Sequence, residues 1–256
     1  MPHVLVVGAS RGIGLAIVEA LLSQSDAALR VVAACRNPEQ ATALQALRRG
    51  YPDRLAIVTV DVADPHSISA LAQQVRQVTP SLDTVINTVG VLHEAAGGEG
   101  VPALRPEKAL SQLRADTLAR SFAVNAWAPI LLAQALQFLF SRQQPFVFAS
   151  LSARVGSIGD NQLGGWYSYR AAKAAQNQLL KTWAIELSRT HPLATVLILH
   201  PGTTDTELSK PFSAHVAPDK LFSAKRVARD LLAVIAARGP ADSGGFFDWA
   251  NEPVPW

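Results

Sequence analysis

Short apolar runs alternate with longer amphipathic stretches along the chain. The runs are rich in Val, Ile, Leu and Ala and almost free of polar residues, as is typical of strands buried on both faces of a parallel sheet. They predict strands at residues 4–7, 29–35, 55–60, 82–87, 146–149, 194–199 and 244–249. The stretches between them carry apolar residues at helical spacing, and predict helices at about residues 15–22, 39–49, 65–78, 113–140, 167–189 and 224–237. This alternation predicts an α/β fold, a doubly wound parallel sheet with helices on both faces.

No repeat, low-complexity segment or linker interrupts the pattern. The chain has 256 residues, 49% of them hydrophobic, which is enough to bury a sizeable core in one domain. We therefore predict a single domain over residues 1–256. Its first part, to about residue 150, would bind a cofactor, and the part from about residue 151 would carry catalysis and bind the substrate.

Charge and cysteine content narrow the function. The formal net charge is +3 and the pI about 9.2, and the arginines are spread along the chain, which favours neither nucleic-acid nor membrane-surface binding. The single cysteine, Cys35, excludes an intramolecular disulfide and suits a reducing compartment. The N-terminus lacks the charged segment of a signal peptide, and no stretch approaches about 18 uncharged apolar residues. We therefore expect a cytoplasmic protein without a membrane span.

A glycine-rich loop joins the first strand to the first helix. It reads Gly8-Ala9-Ser10-Arg11-Gly12-Ile13-Gly14. Glycines in the order strand, loop, helix let the backbone approach a pyrophosphate at a helix N-terminus. A tight turn without a ligand is the alternative. We predict that the loop binds the phosphates of a dinucleotide, with Ser10, Arg11 and Ile13 beside its glycines.

The end of the second strand, at Cys35-Arg36, bears on the identity of that dinucleotide. An acidic residue near this place would hold the ribose 2′-hydroxyl of NAD, whereas an arginine accommodates the 2′-phosphate of NADP. Arg36 stands there and Arg11 could reach the same phosphate, although both could be solvated surface charges. The pattern therefore favours NADP(H), with NAD(H) as the alternative.

Further candidates follow the next strand ends, where open parallel sheets bind ligands. The third strand ends in Asp61-Val62 and the fourth in Asn87-Thr88-Val89-Gly90. An irregular stretch follows at residues 91–106 and contains Gly97-Gly98-Glu99-Gly100; a loop of this length in a compact domain is usually functional or mobile. Its residues His93 and Glu94 invite a catalytic role, but a place at the rim of the site is the simpler expectation.

The long helix predicted at residues 113–140 is interrupted. Pro129 has no N–H, and its ring clashes with the carbonyl four residues earlier, which belongs to Asn125. That carbonyl, freed in an apolar setting, needs a partner such as a water or a lysine. A kinked core helix with a capped side chain is the other interpretation.

Tyr169 and Lys173 form the strongest catalytic candidate. Residues i and i+4 lie on one face of a helix, whereas a spacing of six points Tyr167 away from Lys173. An adjacent ammonium favours the phenolate and should lower the phenol's pKa. Such a pair could serve as general acid for a carbonyl or alcohol oxygen, although a surface Tyr and Lys would have the same spacing.

Together these stretches resemble the short-chain dehydrogenase/reductase family over nearly the whole chain. The matching segments are residues 8–14, 61–62, 87–90, 125, 169–173 and 201–206. Residues 155–161 and 164–170 and the C-terminal Trp256 resemble the C-factor and sniffer-type carbonyl reductase branch. The resemblance implies a Rossmann-type sheet and the following roles. Tyr169 would be the acid/base, Lys173 would lower its pKa and hold the nicotinamide ribose, and Asn125 would anchor a water of a proton relay. The cofactor would be lined by Gly8, Gly12, Gly14, Asp61, Val62, Asn87, Gly90, Pro201, Gly202, Thr203 and Thr206.

Two departures from the family matter. Thr88-Val89 stand where the family usually has Asn-Ala, which affects packing rather than chemistry, and the serine motif also differs. The family commonly places its catalytic serine three residues before the glycine that corresponds to Gly156, and Ala153 stands there. Ser150, Ser152 and Ser157 are the alternatives. Ser152, at the strand end, could replace the missing hydroxyl if a bulge shifts the chain by one residue. We predict Ser152 as the donor, with Ser157 as the alternative.

The sequence thus predicts an NADP(H)-dependent oxidoreductase of the carbonyl reductase type, acting on a small carbonyl or alcohol substrate without a metal. The alternative is a dinucleotide-sensing or signalling module of the C-factor type with little turnover. The family resemblance also implies a homodimer or homotetramer that pairs the two long helices.

Overall fold

Seven strands form one parallel sheet in the computed structural model, which describes residues 2–96 and 103–256. The sheet order is β3-β2-β1-β4-β5-β6-β9, and every neighbouring pair is parallel. The strands are β1 His3–Val7, β2 Arg30–Cys35, β3 Leu55–Thr59, β4 Thr84–Asn87, β5 Phe146–Leu151, β6 Ala194–His200, β7 Thr203–Thr204, β8 Leu221–Phe222 and β9 Gly245–Asp248. The short strands β7 and β8 pair with each other outside this sheet.

Helices cover both faces of the sheet, which confirms the predicted doubly wound α/β fold. They are α1 Gly12–Leu22, α2 Thr42–Gly50, α3 Pro65–Val78, α4 Ala115–Phe122, α5 Ala128–Leu136, α6 Tyr167–Thr190 and α7 Ala224–Ala237. Residues of β5 show the two layers: Phe146 and Phe148 belong to the buried cluster that includes α3, α5 and α6, whereas Ala149 and Leu151 belong to the cluster that includes α1, α2 and α7. This alternation follows from the strand period of two.

The direction of the chain through the sheet creates the ligand crevice. From β1 the chain moves outward through β2 and β3, and then returns to place β4 on the other side of β1. The loops after β1 and β4 therefore diverge and leave an opening at the carboxyl ends of these strands. Ligands of open α/β sheets bind at this point.

A π-helix at Ala123–Trp127 separates α4 from α5. There the N–H of Ala128 donates to the carbonyl of Ala123, five residues earlier, and Pro129 follows at once. The interruption expected from Pro129 is therefore present. By length and composition alone, the stretch Ala115–Leu139 could also cross a membrane. In this fold its α5 part packs between α3 and α6 against the sheet.

The end of β5 is regular, which corrects the predicted bulge. Ser150 pairs with Ile198 and Leu151 with Leu199 in the β5–β6 ladder. The N–H of Ser152 continues it by donating to the carbonyl of Leu199 at 2.7 Å. No one-residue slip occurs here, so the side chain of Ser152 is not shifted into the position of Ala153.

Two stretches outside the main strands and helices contain regular backbone hydrogen bonds. The loop at residues 91–106 is closed by a backbone bridge in which Glu94 and Leu104 exchange two hydrogen bonds; its Gly97-Gly98-Glu99-Gly100 segment lies outside the described residues. Between β7 and β8 the chain forms 3₁₀-helices at Lys210–His215 and Pro218–Lys220.

Candidate active site

The glycine loop after β1 requires its glycines. Gly8 and Gly12 have φ values of +88° and +57°, in the left-handed region that favours glycine. A Cβ on Gly14 would lie 2.3 Å from the carbonyl oxygen of Gly8 and 2.6 Å from Oγ1 of Thr88. Thr88 Oγ1 itself donates to the carbonyl of Val7 at 2.8 Å. The loop thus brings α1 close to the ends of β1 and β4.

Two cations flank this loop. Arg11 is the N-cap residue of α1, whose first turn has no acidic residue and no side-chain cap. Arg36 follows β2 directly, and both side chains are exposed. Within the described residues, neither guanidinium forms an ion pair or a side-chain hydrogen bond. Free N–H groups and the helix dipole at the start of α1 attract anions, so this end of the crevice suits phosphate groups.

One crevice of about 1520 Å³ runs along the carboxyl ends of the strands. It is large enough for a dinucleotide together with a small substrate. Most of the residues predicted from the sequence line it. They are Gly8, Ser10, Arg11, Gly12, Ile13, Gly14, Arg36, Asp61, Val62, Gly90, Ser152, Tyr169, Lys173, Pro201, Gly202, Thr203 and Thr206.

Asn87 is not among the residues that line the crevice, and its contact with the cofactor stays a prediction. It is buried at the end of β4, where its Nδ2 donates to Oγ of Ser150 at 3.0 Å and its Oδ1 accepts the N–H of Val89 at 3.2 Å. The amide thus provides hydrogen-bond partners for the buried hydroxyl of Ser150 and the N–H of Val89. Asn87 therefore stabilises the turn after β4 through its hydrogen bond with Val89.

Asn125 is also buried, in the π-helix. Its side-chain amide holds the backbone of Val91 on both sides: Oδ1 accepts the N–H at 2.9 Å and Nδ2 donates to the carbonyl at 2.7 Å. Nδ2 also donates to Oγ of Ser121 at 3.2 Å. These hydrogen bonds correspond to the capped side chain that was one of the two interpretations of the sequence. They fix the start of the loop at residues 91–106.

Tyr169 and Lys173 meet on one face of α6, as predicted. Both line the crevice, and the Lys173 Nζ lies 5.9 Å from the centroid of the Tyr169 ring. The Tyr169 hydroxyl forms no hydrogen bond with the described part of the protein, so it is free to bind a ligand oxygen. Tyr167 is 40% exposed and lies outside the crevice, as the helical spacing predicts.

Burial sets the protonation of this pair. It raises the pKa of Tyr169 above the ordinary value of a phenol and lowers the pKa of Lys173 to about 7, because the charged form of each group is poorly solvated. The expected lowering of the Tyr169 pKa by its lysine neighbour is therefore outweighed in this structure. A phenol with a raised pKa stays protonated and suits a proton donor.

The hydroxyl of Ser152 lines the crevice but is already engaged. Its Oγ donates to Oδ1 of Asn177, on α6, at 2.6 Å. A hydroxyl has one proton to donate, so Ser152 cannot stabilise an oxyanion without releasing Asn177. Ser157 is buried outside the crevice, where its Oγ accepts the N–H of Asp160 at 3.1 Å. Ser150 is a satisfied core hydroxyl.

His200 at the end of β6 was not identified from the sequence, although it immediately precedes Pro201 of a matching segment. It lines the crevice, and its Nδ1 accepts the backbone N–H of Arg154 at 3.2 Å. Burial, with a smaller contribution from Arg154, lowers the pKa of His200 to about 4. The imidazole is therefore neutral at pH 7, and its remaining proton is on Nε2.

The mouth of the crevice is aromatic. The rings of His93 and Phe212 meet edge to face at 5.9 Å, and Phe212 lies 5.1 Å from Trp166. His93 Nε2 donates across the crevice to the carbonyl of Glu207 at 3.0 Å. Glu94 instead forms an ion pair with Arg120 at 2.6 Å. Both residues thus lie at the rim.

Glu107 holds the start of α6 and was missed in the sequence. It is 3% exposed, and its carboxylate accepts the N–H of Ser168 at 3.2 Å and also the Ser168 hydroxyl. Its carbonyl accepts the N–H of Trp166, the N-cap residue, whose own side chain provides no cap. The carboxylate thus replaces a local cap and suits the positive end of the helix dipole. Tyr169 follows Ser168 directly, so this contact positions it.

Comparison with known proteins identifies the family that the sequence motifs resemble, the short-chain dehydrogenases/reductases. The family model described as short chain dehydrogenase matches residues 2–217. A 1-hydroxy-2-glutathionyl-2-methyl-3-butene dehydrogenase from Rhodococcus sp. (strain AD45) is 30% identical over 96% of both chains. The C-signal protein of Myxococcus xanthus is 34% identical over 58% of this chain and 84% of its own. The crystal structure of an NADPH-bound carbonyl reductase from chicken fatty liver has a TM-score of 0.86 and 28% identity, over 100% of this chain and 99% of its own.

A parallel sheet with a glycine loop at its switch point and a crevice-lining Tyr–Lys pair is the arrangement of a dinucleotide-dependent oxidoreductase. The chain belongs to the short-chain dehydrogenase/reductase family. The C-signal relative and the carbonyl reductase structure also confirm the resemblance to the C-factor and carbonyl reductase branch.

Proposed function

We propose that the protein is an NADP(H)-dependent carbonyl reductase with Tyr169 as its general acid. The single observation that carries this proposal is the Tyr169 hydroxyl, which is free of protein partners, lines the crevice and stands one turn from Lys173. A general acid must be within hydrogen-bond reach of the oxygen that it protonates. Nothing in the described residues competes for this hydroxyl.

The chemistry divides between cofactor and protein. When bound, the nicotinamide supplies a hydride to the carbonyl carbon. Tyr169 Oη gives its proton to the carbonyl oxygen, and the ammonium of Lys173 stabilises the phenolate that remains. The raised pKa of Tyr169 keeps the donor protonated before the reaction. In the opposite direction, the Tyr169 phenolate would accept the proton of an alcohol, and the same burial disfavours that phenolate.

The preference for NADP(H) rests on Arg11 and Arg36. Both line the crevice beside the glycine loop, and their guanidinium groups are free of ion pairs to described residues. A 2′-phosphate adds negative charge and three acceptor oxygens, which arginine recognises well. The chicken carbonyl reductase, which is 28% identical, was crystallised with NADPH.

A small, apolar carbonyl compound is the substrate class that fits best. Trp166, Phe212 and His93 provide the aromatic side of the crevice mouth, and Leu163 reaches it from the loop before α6. Arg154, one of the cations that line the crevice, already binds Asp160 and Asp248, at 3.0 and 3.5 Å. An aromatic wall therefore favours a neutral substrate over a carboxylate.

Replacement of Tyr169 by phenylalanine tests the proposal. Tyr169→Phe removes the proton donor alone, so NADPH oxidation with a panel of aldehydes, ketones and quinones should fall by at least about 10²-fold. Affinity for NADPH, measured by calorimetry, should change little. Tyr167→Phe is the matched control, because that ring is on another face of α6. Equal losses in the two variants would refute the assignment.

A dinucleotide-sensing or signalling module with little turnover is the second candidate. Ala153 occupies the position of the family's serine, and Ser152 donates to Asn177 instead of facing a substrate. The similarity to a C-signal protein also favours this candidate. High-affinity NADPH binding without oxidation in the substrate panel would support it and would exclude the reductase.

The assembly and location are further parts of the proposal. We propose a cytoplasmic homodimer or homotetramer without nucleic-acid or membrane partners. Trp127 on the interrupted helix is 50% exposed, and Tyr167 and Ile185 on α6 are 40% and 50% exposed. A second copy that paired these helices would cover such side chains.

A further inference from the structure

Gln176 is a buried amide one turn beyond Lys173. It is 0% exposed, and its Oε1 accepts a hydrogen bond from Lys173 Nζ at 2.9 Å. Its Nε2 donates to Oγ of Ser150 and to the carbonyl of Leu151, both at 3.2 Å. A carbonyl only accepts and an ammonium only donates, so these partners determine the orientation of the amide.

Lys173 depends on this amide for its solvation. The side chain is 2% exposed, and Nζ has two acceptors among the described protein atoms, Gln176 Oε1 and the carbonyl of Leu151 at 2.8 Å. An ammonium has three N–H groups, and the third is left for the crevice that Lys173 lines. Gln176 also donates to that Leu151 carbonyl. It therefore provides one acceptor of the ammonium and holds the other in place.

No carboxylate of the described residues contacts this ammonium. From α6 it faces the phenol ring of Tyr169, and from β5 the carbonyl of Leu151. Gly90 and Asn125 are two further neighbours, and both are uncharged. A Cβ placed on Gly90 would lie 3.9 Å from Lys173 Nζ and 3.5 Å from Oδ1 of Asn125. Burial alone accounts for the lowered pKa of Lys173.

The 3₁₀-helix at Arg154–Gly156 packs against the backbone of Lys173 through Gly156. Its charged residue, Arg154, is paired with Asp160 and Asp248. Of the groups that surround Lys173, the amide oxygen of Gln176 is therefore the side-chain acceptor that stabilises its charge.

We propose that Gln176 is a positioning residue that keeps Lys173 protonated and aimed at the crevice, and that it thereby sets the pH range of the reaction. The proposal rests on the proposed function, because that function gives Lys173 its role beside Tyr169. Gln176 would thus accept the hydrogen bond of the ammonium that a carboxylate accepts in an ordinary lysine ion pair. A neutral amide supplies an acceptor without a second buried charge.

Two substitutions displace the protonation of Lys173 in opposite directions. Gln176→Met keeps the length of the side chain but removes the acceptor, so the pKa of Lys173 should fall by roughly one unit or more. Gln176→Glu places an anion beside the ammonium and should raise that pKa by about 1–3 units. Gln178→Met, at an exposed position of the same helix, is the matched control.

The first readout is the pH profile of kcat for carbonyl reduction with NADPH. The limb at which activity falls as Lys173 loses its proton should move to lower pH in Gln176→Met and to higher pH in Gln176→Glu. The Gln178→Met profile should coincide with that of the unchanged protein. A purely structural role of Gln176 would lower activity without moving the limb.

The second readout needs no turnover: the free energy of unfolding of the full chain, measured against pH without cofactor. A lysine with a folded pKa of about 7 and an unfolded value near ~10.4 binds more protons when unfolded. Stability should therefore rise with pH between these values. The rise should begin at lower pH in Gln176→Met and at higher pH in Gln176→Glu, and should be absent in Lys173→Met.

Opposite displacements in the two Gln176 variants support the proposal, and identical or absent displacements overturn it. If Gln176→Met does not fold, the direction of the Gln176→Glu displacement decides alone. The two hypotheses can fail separately. Retained turnover in Tyr169→Phe would refute the general acid while the unfolding data still test Gln176.

Discussion

Replacing Glu107 with alanine should loosen the start of α6 and displace Tyr169. The Glu107 carboxylate accepts hydrogen bonds from the N–H and the hydroxyl of Ser168, and no local side chain caps the helix. Ser168 is 3% exposed, so its two donors cannot simply turn to bulk water. The variant leaves both of them without an acceptor.

The size of the effect follows from these two donors. An unsatisfied buried donor costs about 1–3 kcal/mol, and water that enters the vacated space recovers part of this. We expect Glu107→Ala to lower the free energy of unfolding by about 2–4 kcal/mol, which for a chain of this size lowers Tm by roughly 5–15 °C. Because Tyr169 is in the first turn of α6, kcat should also fall by about tenfold or more.

Thermal unfolding and steady-state kinetics measure these effects. Glu186→Ala removes an exposed carboxylate from the same helix and should change stability by no more than about 0.5 kcal/mol. Glu107→Gln retains one acceptor oxygen and should fall between the two. If Glu107→Ala unfolds at the same temperature as Glu186→Ala, the carboxylate does not hold the helix and the reasoning is wrong.

Four further predictions concern the cofactor, the site and the assembly. Arg36→Asp should reverse the preference for NADP(H); equal NADH and NADPH binding by the unchanged protein, measured by calorimetry, would contradict it. Ser152→Ala should lower kcat less than about tenfold, whereas a fall of about 10²–10³ would make it the oxyanion donor. Gly14→Ala should abolish NADPH binding in calorimetry, because its Cβ would lie 2.3 Å from the Gly8 carbonyl oxygen, while Gly50→Ala, with nothing within 4 Å, is the control. Light scattering should give a dimer or tetramer mass, and a monomer mass at micromolar concentration would refute the homo-oligomer.

Local spacing was enough to predict most of the fold. Apolar runs and helical periodicity located the strands and helices of the sheet, because each element must bury one face or both. The same local geometry separated Tyr169 from Tyr167, since a helix fixes which residues share a face. Pro129 likewise predicted the interruption of the long helix, which the structure shows as a π-helix.

Contacts between distant segments could not be predicted in this way. Glu107 and Ser168 are 61 residues apart, and Ser152 meets Asn177 across 25 residues. Nothing in the spacing of either pair indicates the contact, because packing of whole elements brings them together. For this reason the sequence suggested a bulge at Ser152, whereas the ladder of β5 is regular and the hydroxyl turns to α6.

Protonation shows the same division. The sequence determined that Tyr169 and Lys173 stand one turn apart, and from that distance alone the lysine should lower the pKa of the phenol. The tertiary structure decided otherwise, because it buries both groups and penalises their charged forms more than their proximity stabilises them. Spacing along a helix is a local property, whereas the solvation of a charge depends on every element packed around it.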